Sequence, residues 1–197
     1  MQRTLYGNSF LMKSLARPAT FFMHRAGWRV EGRPPALAKY VIVGAPHTSN
    51  WDFLVMLGVV FTVQLEAHWL GKHTLFRQPF GRLFRWLGGI PVDRRQANGL
   101  VAQLVDVFNR RDKLILVVPP EGSRKKLQTW KSGFYYIARG AQVPLALVSM
   151  DYGRKVVGFG PVITPSGDID ADMAQIRTYF SSATGKYPHE TAQIALK

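Results

Sequence analysis

A single α/β domain with a mixed, mostly parallel central sheet flanked by helices is the fold class that the sequence predicts. Three observations lead there. The apolar runs YVIVGA (40–45), KLILVVP (113–119) and VPLALV (143–148) have the length and composition of buried strands. Stretches with helical periodicity lie between such runs, so strands and helices alternate along the chain. The last third is richer in strand patterns, which makes the direction of the sheet partly mixed. With 197 residues, 47% hydrophobic and 19% charged, the chain suits one domain with a substantial core and is short for two.

The elements follow in order. Residues 1–33 read as an amphipathic helical segment that precedes the domain at 34–197. After the strand at 40–45, Trp51 to Gln64 is apolar enough for a buried helix. AHWLG (67–71) predicts a short strand, and 74–87 a helix that is interrupted. A strand follows at IPV (90–92). Leu100, Leu104, Val107 and Phe108 then share one face of a helix over Gln96–Arg110. KLILVVP is the clearest strand. It leads into a basic loop, a helix near 132–140, strands at 143–151 and 155–163, and a closing amphipathic helix at 170–183. Repeats and low-complexity tracts are absent from the sequence.

The net charge of +14 is segregated. Residues 1–33 carry +5, 34–66 carry −1, 67–139 carry +10, and 140–197 balance at zero. Such a field points to an anionic partner: nucleic acid, anionic lipid or a phosphorylated substrate. The sequence shows no zinc-finger spacing and no RNP-type run, so no nucleic-acid partner is expected. No apolar run approaches the roughly 20 residues needed to span a bilayer, and the N-terminus lacks a clean signal-peptide core. Basic and aromatic residues interleave in FRQPFGRLFRWLG (76–88) and in the N-terminal segment. That pattern suits peripheral attachment to an anionic membrane surface.

Two short stretches carry chemistry. HTSNWD (47–52) links the first strand to the first apolar helix. On a continuous helix, residues five apart are rotated by about 140° and share no face. If Ser49 is the N-cap, Asp52 falls at N3 and His47 precedes the helix, free to fold back within reach of that carboxylate. A carboxylate there fixes the imidazole tautomer and stabilises the imidazolium. Taken alone, the hexapeptide equally fits a helix cap with an incidental histidine. VVPPEGSRKK (117–126) leaves the clearest strand at its carboxyl end, where α/β proteins place their sites. It supplies Glu121, Gly122, Ser123 and Arg124 with two lysines, a set suited to phosphate. In isolation it also reads as a solvated loop. GGIPVDRR (88–95) adds Arg94. The chain has no cysteine, and its histidines at 24, 47, 68, 73 and 189 form no ligand pattern, so no metal site is expected.

In this order and at these distances the blocks resemble the glycerolipid (lysophospholipid) acyltransferase family, of the 1-acylglycerol-3-phosphate acyltransferase type. The resemblance spans about Tyr40 to Met150. His47 and Asp52 match the family's H-x4-D, and Pro120, Glu121, Gly122, Ser123 and Arg124 match its PEG-[ST]-R block. The chain departs from the family pattern at Pro46, Pro91, Pro119 and Leu147, none of which carries the chemistry. The resemblance implies transfer of a fatty acyl group from a thioester, acyl-CoA or acyl carrier protein, to a lysolipid or glycerol-phosphate hydroxyl in phospholipid biosynthesis. His47 would be the general base and Asp52 its orienting partner. Arg94, Glu121, Gly122, Ser123 and Arg124 would bind the acceptor, with no cofactor. Backbone N–H groups near Gly122 are candidate oxyanion donors. The sequence has no G-x-S-x-G elbow, so a covalent acyl-enzyme is not favoured. A hydrolase using the same His/Asp pair, or a non-catalytic binder of anionic surfaces, are the alternatives. The expected location is the cytoplasmic face of the cell membrane.

Overall fold

The computed structural model describes residues 4–92, 97–122 and 128–196. Nine strands are present among them: β1 (Arg29–Glu31), β2 (Lys39–Ala45), β3 (Ala67–Lys72), β4 (Gly89–Val92), β5 (Leu114–Val118), β6 (Thr129–Trp130), β7 (Leu145–Asp151), β8 (Val156–Ile163) and β9 (Gln193–Leu196). The helices are α1 (Ser9–Arg25), α2 (Trp51–Thr62), α3 (Gly81–Trp86), α4 (Ala97–Asn109), α5 (Gly133–Gly140) and α6 (Ile169–Phe180). Seven strands form one sheet in the order β1-β8-β7-β2-β5-β3-β4, and β6 pairs with β9 beside it. All neighbours in the large sheet are parallel except β7 and β8, which run antiparallel. The mixed, mostly parallel sheet expected from the sequence is therefore the one observed.

Parallel strands covered on both faces read as continuous apolar runs, and β2 illustrates why. Its alternate side chains go to opposite layers. Val41, Val43 and Ala45 join Leu104 of α4, Phe134 and Ile137 of α5, and Ile176 and Phe180 of α6 in the larger core. Tyr40 and Ile42 face the other way, onto Leu5, Tyr6, Met12 and Val60. Burial without a hydrogen-bond partner among the described residues pushes the Tyr40 phenol up to about 12.

Asn8 caps α1 by accepting the Leu11 N–H. The helix then lies along α2, where Gly58 gives Met23 room to approach. Leu5, Tyr6, Met12, Met23 and Trp28 are all buried, and β1 joins the sheet edge beside β8. The Tyr6 hydroxyl donates to the Leu87 carbonyl, tying the start of the chain to the end of α3. The interrupted helix at 74–87 resolves into a 3-10 turn at His73–Phe76 and then α3. Pro79 lies between them and cannot continue a helix from the preceding turn.

Candidate functional site

Three adjacent strands deliver the site. Register pairs Val43 with Val118 across β2 and β5, and Ala45 with Ser149 across β2 and β7. The carboxyl ends of these parallel strands are therefore level. The segments that leave them carry His47, Glu121 and Tyr152 to the same edge of the sheet.

The turn into α2 holds the first two residues of the site. The Ser49 hydroxyl accepts the Trp51 N–H at 3.2 Å, while Asp52 Oδ2 accepts the N–H groups of Thr48 and Ser49, each at 2.9 Å. This is a reciprocal capping arrangement. The regular helix begins at Trp51, and Asn50 already has helical angles without capping by its side chain. The Ser49 and Asp52 side chains still make the bonds expected of N-cap and N3 groups. His47 folds back so that Nδ1 lies 2.9 Å from Asp52 Oδ2. Burial alone would raise the Asp52 pKa, but the hydrogen bonds from His47, Tyr152 and Ser49 outweigh it and hold the carboxyl below its ordinary value. The ionised carboxylate only accepts, so His47 donates from Nδ1, and in the neutral imidazole Nε2 is the accepting nitrogen. The His47 side chain is 21% exposed and that of Asp52 4%.

Glu121 reaches the same place from the β5 side. Its Oε1 accepts the His47 backbone N–H at 3.0 Å. Its Oε2 is buried with no hydrogen-bond partner among the described residues. Burial raises the Glu121 pKa, and the bond from the His47 backbone only partly offsets this. Gly122 has φ +63°, a left-handed conformation that glycine adopts at little cost, and its N–H donates to the Pro119 carbonyl. Arg94, Ser123 and Arg124 lie outside the described residues.

Tyr152 carries no motif and was not anticipated. Its hydroxyl donates to Asp52 Oδ1 at 2.7 Å from a position 100 residues downstream. No local pattern could reveal that contact; the only sequence signal is its place just past the end of a buried strand. Two concavities are lined by the chain neighbours of His47, one by Pro46 and the other by Thr48. A groove of about 250 Å³ is lined by Thr48, Ser49, Asn50, Trp51 and Tyr187. A cavity of about 230 Å³ lies beside Ala45, Pro46, Glu121, Trp130 and Phe180. The Lys186 ammonium stands 4.7 Å over the ring of Trp51, one of the groove's lining residues. His68 is instead a packing residue of β3, edge-on to Tyr6, its pKa lowered by burial and by Arg111. No group of three or more His, Cys, Asp or Glu side chains that could hold a metal occurs among the described residues.

This arrangement suits proton abstraction by an oriented imidazole at an open, partly apolar site. A family model described as Acyltransferase matches residues 28–151, a span that ends one residue before Tyr152. The fold is similar to the crystal structure of the 1-acyl-sn-glycerophosphate (LPA) acyltransferase PlsC from Thermotoga maritima. The TM-score is 0.55 at 18% identity, over 87% of this chain and 76% of that one. No curated protein matches the chain by sequence.

Proposed function

The chain belongs to the Acyltransferase family, and from that membership we propose that it acylates the hydroxyl of a lysophospholipid- or glycerol-phosphate-like acceptor, using an acyl thioester as donor. The observation that carries the mechanism is the His47–Asp52 contact at 2.9 Å, at the level edge of three parallel strands.

His47 Nε2 takes the proton of the acceptor hydroxyl as its oxygen attacks the thioester carbonyl. Asp52 holds the tautomer and stabilises the imidazolium. The tetrahedral intermediate collapses by breaking the C–S bond, and the imidazolium returns the proton to the departing thiolate sulfur. General-base catalysis of this kind contributes about 10²–10⁴ in rate. Glu121 has two roles in this reading. Oε1 fixes the His47 backbone, and the residue lines the cavity beside Pro46 that the acceptor would enter. Arg94, Ser123 and Arg124 would meet the acceptor's phosphate. The donor is acyl-CoA or an acyl carrier protein thioester, and no cofactor takes part.

Attachment to the cytoplasmic face of an anionic membrane is part of the proposal. Phe10, Phe21 and Phe22 are exposed on α1 among Lys13, Arg17 and Arg25. Around α3, Phe80, Leu83 and Trp86 are exposed beside Arg82 and Arg85. The Tyr6–Leu87 bond ties the turn that precedes α1 to the end of α3. Among the described residues no helix is long and apolar enough to cross a membrane, whereas this surface suits the headgroup boundary. Incubation with a labelled acyl thioester and a panel of lysolipids, with products identified by mass, tests the reading. Acylated lipid formed only when a phosphate-bearing lysolipid is present supports it. Free fatty acid at the same rate with or without lysolipid would make the protein a hydrolase.

A further inference from the structure

We propose that Tyr152 is a positioning residue for the acyl-transfer reaction, acting on His47 through Asp52; this rests on the functional reading above. Asp52 is 3% exposed, and its two oxygens are used unequally. Oδ2 receives His47 and two backbone N–H groups, while among the described residues only Tyr152 donates to Oδ1. The Oδ2 bonds leave the carboxylate free to tilt about that oxygen. The Tyr152 hydroxyl removes this freedom, so the carboxylate plane, and the imidazole aligned on it, have one orientation.

The partly buried tyrosine is itself held by its backbone and its ring. Its N–H donates to the Thr184 carbonyl at 2.8 Å. Trp28 packs edge-on to its ring at 4.8 Å between centroids, and the Lys186 ammonium lies 5.9 Å over the ring. The preceding residue, Asp151, is buried and accepts the N–H groups of Gly153, Arg154 and Thr184, which sets the turn that aims Tyr152. Burial and the contact with Asp52 raise the phenol pKa far above its ordinary value, so the hydroxyl remains a donor at any working pH. A buried carboxylate oxygen stripped of its one donor is costly, and Asp52 would turn to find another.

Tyr152→Phe keeps the ring packed against Trp28 and removes only the hydroxyl. Its kcat should fall about tenfold, with KM for donor and acceptor within about twofold of wild type, as expected when alignment rather than binding is lost. The proton resonance of His47 Nδ1, assigned by its loss in His47→Ala, should shift in the variant, a readout independent of turnover. In an Asp52→Ala background, which removes the carboxylate that Tyr152 holds, the same substitution should cost little more, because neighbours acting through one contact are not additive. An active wild type with unchanged kcat and an unmoved resonance in Tyr152→Phe overturns the positioning role. A rise in KM alone, or a full tenfold loss persisting in Asp52→Ala, also overturns it. An inactive wild type would instead sink the functional reading, while the resonance would still report on the contact.

Discussion

Asp52→Asn separates the electrostatic role of the carboxylate from its structural one. The amide oxygen can take the Oδ2 position and keep the bonds from His47, Thr48 and Ser49. The amide nitrogen then faces Tyr152, whose hydroxyl can turn to accept. The fold should survive, and what disappears is the negative charge beside the imidazolium that forms in the reaction. Two unit charges about 4 Å apart at an effective dielectric of about 20 interact by about 4 kcal/mol, or about three orders of magnitude in rate. We expect kcat to fall by about 10³ with KM little changed. Asp52 also contributes to stability through its lowered pKa. That contribution is present above the ordinary carboxylate range and is lost as pH falls through the lower folded value. The variant should therefore melt below wild type near neutrality, and the gap should close in acid. Steady-state kinetics with each substrate varied, plus melting at several pH values, provide the test. A loss under tenfold with the fold intact would refute the claim that Asp52 stabilises a charged His47.

Glu121→Gln should reverse the pH trend. A carboxyl with a raised folded pKa costs stability once pH exceeds its unfolded value, so wild type loses ground to the variant as pH rises. Melting at pH 4 and pH 8 checks this, and activity should fall regardless. Removing residues 1–28 would strip Leu5, Tyr6, Met12, Met23 and Trp28 from the cores, so membrane attachment is better tested by substitution. Phe10, Phe21 and Phe22 changed together to Ser should weaken co-sedimentation with anionic liposomes by at least about tenfold, roughly 1.4 kcal/mol, without lowering activity on detergent-dispersed substrate. Phe134→Ala should cost about 3–5 kcal/mol in urea unfolding, since its ring is 1% exposed in the larger core.

The elements that could be read from the chain are those whose sequences carry their own reason. β2, β5 and β7 are apolar on both faces because helices cover both, and α4 has one apolar stripe because it covers one. His47 and Asp52 were legible because a capped turn ties them locally. β1, β6 and β9 were not. β1 is three residues long with charged ends, and its strand character comes from Val156, Val157 and Gly158 of β8. β6 has two residues and depends on β9 near the end of the chain. Tyr152 belongs to the same class, since its function resides in a partner 100 residues away. The sequence singles out Glu121 as a candidate site residue, but not its hold on the His47 backbone, because that bond follows from the β2–β5 register.

In the proposed reaction His47 is the base for direct transfer from thioester to hydroxyl. Turnover of a labelled acyl thioester by His47→Ala, in the presence of a phosphate-bearing lysolipid that wild type acylates, tests it most directly. The Ala variant should retain the fold and form acylated lipid at less than about a hundredth of the wild-type rate. Retention of more than about a tenth of that rate would contradict the assignment, because a lost general base costs at least two orders of magnitude.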